Sequence, residues 1–512
     1  MGQMMGTSDH SQARWWTLAV FCWLAMVTTL DATLVNVALP VIGSMPGADT
    51  AALSWVVNAY TLALAGLLAL GGATADRIGR KTSLYIGLAL LIAGSACAAR
   101  ADSVPTLIAG RGVMGAGAAF VIPTGLSTIS AVFDVSNRAL ASGVLGAAGL
   151  LGAPLGPLLG GVLLDLFSWP SVFLLNVALL IPPTLLAWKL VPETRARKED
   201  TRPFDWRGAT LATAGTSALV WAIVGLPGND WLSLRVLGLT ATGTTILAAF
   251  VAWQRRAREP MLDLQGLNRV LAAGVTVLFW CYFALLGSLF VLTQYLQLVL
   301  DYRPLEAGVG VLPVVATTVV AFLAAGKLAD HWGLRAVVLS GLVLVAAGLV
   351  VMSAATPDSG FGIVLAALLL VGLGMGTILP LVPLAMINTQ PQEKAGAVSA
   401  IADTGRYLGG TFGTAVLGSI TALHFRADMT GATSGQAASE LTAAIRASAE
   451  MGGGSGQALR ETASTAYTAG MATAHLVAAA LIVVAIPAAL FLPAFKQADP
   501  WPAPALGANG GS

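Results

Sequence analysis

Apolar residues in this chain come in long blocks rather than in alternation. The run FCWLAMVTTLDATLVNVALP, residues 21–40, is followed by block after block of similar length. A helix needs about 20 apolar residues to cross ~30 Å of hydrocarbon, and about fourteen stretches meet that template. They fall at 15–40, 52–72, 82–99, 104–125, 139–164, 170–190, 207–226, 235–253, 269–298, 306–326, 336–354, 362–387, 396–423 and 468–492. The pattern predicts an all-α polytopic membrane protein, and an even number of spans puts both termini on one side.

Composition agrees. Of 512 residues 56% are hydrophobic and 10% charged, with a mean hydropathy of +0.79; an ordinary soluble protein is about 25% charged. The net charge of +2 gives no reason to expect a nucleic-acid partner. Cys22, Cys97 and Cys281 lie far apart inside apolar runs and read as small buried residues, with no disulfide or metal set implied. The first apolar run lacks a suitably placed small-residue cleavage site, so a retained span is expected.

The basic residues orient the spans. With the N-terminus in the cytoplasm, the outer segments hold only Arg100, Arg235, Arg303, Arg426, Arg446 and Arg460 of the 27 Lys and Arg. All the rest lie on the cytoplasmic side except Arg111 and Arg406, which fall within spans. This is the positive-inside asymmetry of a plasma (inner) membrane protein.

The sequence also repeats itself. GGATADRIGR at 71–80 matches GKLADHWGLR at 326–335, pairing Asp76 with Asp330 at an offset of 254; Pro123 pairs with Pro380 at 257, and Arg138 with Lys394 at 256. A near-constant offset over three separate segments implies two related halves of six helices. The expected division is 1–191 for the first half, 192–206 for a charged cytoplasmic linker, 207–253 for two inserted helices, 254–495 for the second half and 496–512 for a cytoplasmic tail. A solvated outer loop is expected at 424–467, with ELTAAIRASAE as a short helix inside it. Repeats of this kind place a substrate site near the bilayer midplane, between halves that rock against each other.

Charges inside the spans carry the candidate chemistry. Asp31 sits at membrane depth, where a charge costs roughly 3 kcal/mol on insertion scales and more on an isolated helix. Arg111 cannot in practice lose its proton, so it needs an acceptor, and Asp31 is the natural one. A cation beside a carboxylate favours its charged form and burial favours the neutral one; a group held between the two suits a proton carrier, with a static ion pair as the structural alternative. Asp403 and Arg406, three residues apart, share a helix face and form a second charged pair, for a second proton, for a cationic substrate or merely for mutual neutralisation. Asn36, Asn58, Trp55, Tyr60, Gln294 and Tyr295 are the polar and aromatic positions expected at a substrate cavity. Gly79-Arg80-Lys81-Thr82 lacks the spacing of a phosphate-binding loop, which excludes ATP coupling by that route.

Four motifs then point to a family. The first span reads Leu30-Asp31-Ala32-Thr33-Leu34-Val35-Asn36-Val37-Ala38-Leu39-Pro40. The loop after the second span reads Gly72-Ala73-Thr74-Ala75-Asp76-Arg77-Ile78-Gly79-Arg80-Lys81, with Thr74 where Leu is usual. The fourth span carries R-x-x-x-G-x-G-A-A from Arg111 to Ala119, and the fifth G-x-x-x-G-P-x-x-G-G from Gly152 to Gly161. In order and at the expected spans, these resemble the major facilitator superfamily, and within it the fourteen-span drug:proton antiporters of multidrug efflux.

The resemblance covers nearly the whole chain and implies alternating access with proton coupling at Asp31, Arg111 and Asp403. It also implies a substrate cavity that includes Arg406, and a cytoplasmic gating loop at Gly72, Asp76, Arg77, Gly79, Arg80 and Lys81 with Asp330 and Arg335 in the repeat. An antiporter hinge is implied at Gly152, Pro154, Gly156, Pro157, Gly160 and Gly161, where the prolines should bend or break the fifth span. The expectation is a monomeric, non-enzymatic exporter that exchanges protons for amphipathic, cationic drugs or toxic metabolites, without cofactor or metal. The rivals are a dedicated exporter of one endogenous metabolite, antibiotic, lipid or siderophore, and a non-transporting membrane sensor.

Overall fold

The computed structural model describes residues 6–193, 205–224, 233–257, 268–389, 395–430, 433 and 435–494. Some side chains within those ranges, Asp76 and Arg138 among them, lie outside the description. The helices are α1 (Gly6–Ile42), α2 (Thr50–Ile78), α3 (Arg80–Ala99), α4 (Val104–Val132), α5 (Val135–Leu166), α6 (Pro170–Leu190), α7 (Trp206–Val224) and α8 (Leu234–Arg256). They continue as α9 (Arg269–Gln294, extended by a π turn Tyr295–Val299), α10 (Pro304–Gly310), α11 (Leu312–Trp332), α12 (Leu334–Met352), α13 (Gly360–Asn388), α14 (Ala395–Met429), α15 (Leu441–Met451) and α16 (Gly453–Ala489).

Among the described residues twelve helical segments are long and apolar enough to cross a membrane. Thirteen of the fourteen stretches read from hydropathy correspond to a helix of their own. The stretch 306–326 instead spans α10 and α11, which together make one crossing length. Of the two outside the set of twelve, α7 is diluted by Thr, Ser and Gly, and α5 enters only as the shorter apolar stretch Leu155–Leu166 among its described residues.

Local chemistry sets several of the boundaries. Asp49 accepts from the Ala52 amide at 2.6 Å and Asn268 from that of Leu271 at 2.7 Å, satisfying donors left over in the first turn. Gly79 and Gly333 have φ of 106° and 84°, so α2 turns into α3, and α11 into α12, through a single residue in a conformation that favours glycine. The repeat is thus visible in backbone geometry at the offset seen for Asp76 and Asp330.

Packing follows the same symmetry. A Cβ on Gly94 would meet the Met114 amide nitrogen at 2.7 Å, and one on Gly348 the Ala367 carbonyl at 2.8 Å. The α3–α4 and α12–α13 pairs are therefore in backbone contact at equivalent glycines. In the first half α1 lies on α5 and α2 on α4; in the second, α9 lies on α14 and α11 on α13. The inserted pair packs face to face, and α7 leans on both α2 and α14, so it straddles the seam between the halves.

Ties across the seam gather towards the end of the bundle opposite the N-terminus. Arg303 of α10's N-terminus pairs with Asp165 of α5 at 2.8 Å. Gln297 donates to the Val37 carbonyl at 2.9 Å and Thr411 to Thr61 at 2.7 Å. At the N-terminal end, Arg14–Asp134, Lys81 to the Trp188 carbonyl and Arg335 to the Leu492 carbonyl each join helices of one half.

The segment 424–467 departs from the expected solvated loop. Here α14 runs on to Met429, α15 forms where ELTAAIRASAE predicts it, and α16 starts at Gly453. Leu441 and Ala444 of α15 are buried, and Tyr467 donates to the Val291 carbonyl at 2.9 Å. Apolar positions at helical spacing within this Ala-rich stretch give it a face to bury.

Candidate functional site

Four helices of the first half converge on Arg111. It sits on α4 with 0% exposure, and Asp31 on α1 is 3% exposed. The Arg111 Nη1 donates to Asp31 Oδ2 at 2.7 Å, and its Nε to the Val56 carbonyl of α2 at 3.1 Å. Its guanidinium lies 4.5 Å from the centroid of the Tyr60 ring, a desolvated cation–π arrangement. Asn176 of α6 donates its amide to the other Asp31 oxygen.

The carboxylate is thus held from two sides by a fixed charge and a neutral donor. Such charge-assisted bonds are the strong ones. Protonating the carboxylate removes the counter-charge of an arginine that cannot leave the interior without carrying its charge along.

The same region keeps unused hydrogen-bonding capacity. Arg111 Nη2, Asn176 Oδ1, Asn36 Oδ1 and both amide atoms of Asn58 are buried with no protein group in bonding reach. Buried polar atoms are ordinarily paired, so these atoms retain capacity for a further hydrogen bond.

Most other sequence-read residues fall elsewhere. Asp403 and Arg406 pair with each other on α14, and Arg406 lies 5.6 Å from the Tyr282 ring centroid of α9. Tyr60 forms the floor under Arg111, and its hydroxyl reaches the Thr28 carbonyl at 3.4 Å. Trp55 packs edge-on against Trp221 of α7 at 6.3 Å between centroids. Tyr295 donates to the Thr356 carbonyl at 2.7 Å, and Gln294 to that of Phe290 at 3.3 Å, both close to the seam's tied end.

In the loop after α2, Lys81 reaches Trp188 of its own half, lying 5.6 Å from the ring centroid as well as bonding the carbonyl. Arg77 and Arg80 are engaged, Asp330 is exposed, and the Asp76 side chain lies outside the described residues.

The fifth-span motif divides its glycines between two neighbours. A Cβ on Gly152 would meet the Leu30 amide at 3.0 Å, and one on Gly156 would sit 2.7 Å from the Leu30 carbonyl and 2.8 Å from the Leu34 amide. Gly160 faces Leu34 as well. Gly161 instead abuts the backbone at Leu305, and the Pro157 carbonyl abuts Gly308. Despite Pro154 and Pro157, α5 continues unbroken over 32 residues; close packing on α1 and α10 on either side offsets the backbone bonds that the prolines remove.

Asn176, the second partner of Asp31, was not singled out from the sequence as a site residue. Its one signal was an amide in mid-span.

Comparison with known proteins places this geometry. The Major Facilitator Superfamily profile matches residues 21–414. The chain is 33% identical over 482 residues to the multidrug efflux pump LfrA of Mycolicibacterium smegmatis, covering 92% of this chain and 94% of that protein. It is 30% identical to the tetracenomycin C resistance and export protein of Streptomyces glaucescens, covering 97% and 96% of the two chains. It is 32% identical to the methyl viologen resistance protein SmvA of Salmonella typhimurium, covering 81% and 84%. Among solved structures, a bacterial homolog of the human lysosomal transporter Spinster, in an inward-facing and unoccupied conformation, superposes with a TM-score of 0.60 at 16% identity, covering 93% of this chain and 98% of that one. With the profile spanning most of the chain and such relatives matching nearly end to end, this protein belongs to the Major Facilitator Superfamily.

Proposed function

We propose that this protein exports amphipathic, cationic drugs or toxic metabolites across the inner membrane in exchange for protons. It would work as a monomer without ATP, crossing the bilayer fourteen times with both termini in the cytoplasm. The relatives named for efflux and resistance support the export reading. The observation that carries the coupling is the buried Asp31 carboxylate, held by Arg111 and Asn176 among amide groups with bonding capacity to spare.

A proton taken up from outside neutralises Asp31 and frees Arg111 to re-pair, which lets the halves shift. Entry of that proton releases ~2.3 kcal/mol per 100 mV of membrane potential. Asp403 and Arg406 are the second charged element, for substrate or for a second proton. The seam ties towards the face opposite the N-terminus support an inward-open resting state, with the loop from Gly72 to Lys81, Asp330 and Arg335 forming the latch when the cytoplasmic side closes. The small-residue face of α5 is the surface over which the halves rock.

The test is ethidium efflux from cells, or its uptake into inverted vesicles, with and without an uncoupler, for wild type and Asp31→Asn. Export abolished by both treatments, with the variant still in the membrane, is the expected result; efflux that survives both removes the coupling role. A dedicated exporter of one antibiotic is the second reading, favoured by the end-to-end match to the tetracenomycin C exporter. A substrate screen that finds one compound and no ethidium transport decides for it.

A further inference from the structure

Two backbone irregularities meet at the outer end of α9. Its α-helical winding gives way to the π turn Tyr295–Val299, where the Leu300 amide bonds the Tyr295 carbonyl at 3.0 Å, one residue further back than in an α-helix. Asp301 then has a φ of 58° and is the one non-glycine residue with a positive φ among the described residues. Single π turns are frequent at functional sites, and sparsely populated backbone conformations cluster at switch regions.

This stretch is braced on its own half. Tyr295 donates to the Thr356 carbonyl at 2.7 Å, and Asp301 pairs with Arg460 of α16. It also feeds contacts with both facing helices of the first half. From inside the π turn, Gln297 donates to the Val37 carbonyl of α1 at 2.9 Å. Directly after Asp301, Arg303 pairs with Asp165 of α5 at 2.8 Å, and Leu305 and Gly308 abut Gly161 and the Pro157 carbonyl.

Regular winding would undo both sets. An α-helix turns about 100° per residue and the wider π turn turns less, so straightening residues 295–301 swings Gln297 around the helix axis and re-aims α10. The residue at 301 suits such a change. At the turns into α3 and α12 the left-handed conformation falls to glycine, at Gly79 and Gly333. Aspartate visits that conformation and also accepts the right-handed one.

We propose that residues 295–301 are a two-state joint of the outer gate. In the state seen here the π turn and the left-handed Asp301 hold Gln297 on α1 and α10 on α5, and the outer face is closed. In the other state α9 winds as a regular helix through Asp301, Gln297 leaves Val37, and α10 releases α5. Gln297 and Asp301 are thus positioning residues of the gate. The joint rests on the rocking of the halves set out above and not on which group carries the proton.

The test is thiol access at the outer seam, measured on the full-length protein in intact cells. Ser54 of α2 is buried against Gly418 of α14. A cysteine at Ser54, with Cys22, Cys97 and Cys281 replaced by alanine, should therefore meet an impermeant thiol reagent only when the outer face opens. Asp301→Ala and Asp301→Gly both lose the Arg460 pair, so their difference isolates the backbone: alanine disfavours the left-handed turn and glycine keeps it. The alanine variant should react about fivefold faster than the glycine variant, or more. Gln297→Leu should react faster than the same protein with Gln297; Gln297→Ala serves if that variant does not fold. Equal rates for the two Asp301 variants overturn the joint, and so does an unchanged rate on losing Gln297. Export is not read, so efflux that survives Asp31→Asn and uncoupler removes the coupling role and leaves the joint standing.

Discussion

Replacing Asp31 by Asn keeps the side chain's shape and removes its charge. What remains is Arg111 at 0% exposure, with the Val56 carbonyl and the Tyr60 face as its polar surroundings. Neither is an anion. Breaking a buried pair from one side leaves an uncompensated charge and costs about 3–5 kcal/mol. At 1.4 kcal/mol per factor of ten, that is roughly a hundredfold to a few thousandfold in the ratio of folded to unfolded protein.

Removing both charges, in Asp31→Asn with Arg111→Leu, should recover most of the loss, because an apolar replacement of a buried pair is often near neutral. The shorfall should be about 1–3 kcal/mol for the space that Leu leaves over Tyr60. The assay is denaturant unfolding of the purified protein for wild type, both single variants and the double variant, read as a double-mutant cycle. A coupling energy near zero, or an Asp31→Asn protein as stable as wild type, refutes the claim that this pair is buried and mutually dependent.

Three further outcomes are expected. Gly156→Ala puts a methyl group against the Leu30 carbonyl and the Leu34 amide, backbone atoms of α1, and should cost about 1–3 kcal/mol; Gly146→Ala, with open space at its Cβ, should be neutral in the same unfolding assay. Asp165→Asn removes an ion pair across the seam whose arginine is largely exposed, worth about 1 kcal/mol or less, so a cysteine placed at Val37 should react up to about fivefold faster with an impermeant thiol reagent; an unchanged rate argues against a seal there. Burial raises the Glu440 carboxyl above its ordinary range, with Asp49 adding to the shift and Arg426 opposing it. The folded segment thus holds a proton that the unfolded chain gives up at about pH 4.3. Its stability should be fully present below that pH and decline as pH rises towards the raised folded value, and Glu440→Gln should flatten the dependence in amide exchange of α15.

The glycine contacts show how far sequence and structure each reach. The short helix at 441–451 was legible from local residue spacing, and the doubling of the chain from motifs recurring at a near-constant offset. The Asp31–Arg111 pair was legible because an arginine at membrane depth must find an acceptor, and few acids share its depth. Asn176 as the third member was not, nor was Tyr60 as the floor under Arg111, nor Trp55 facing α7.

Most of these helices are apolar nearly all round, so their sequences carry no stripe that says which face meets which neighbour. The sequence by itself determined the helices, the two related halves and the charged residues that need partners, because hydrocarbon demands long apolar helices and forbids a lone charge. Only the tertiary structure decided which of the available groups became those partners and how α7 came to lie across the seam. Those outcomes depend on how each helix is rotated about its own axis, and that rotation is set by close packing at glycines on neighbouring helices.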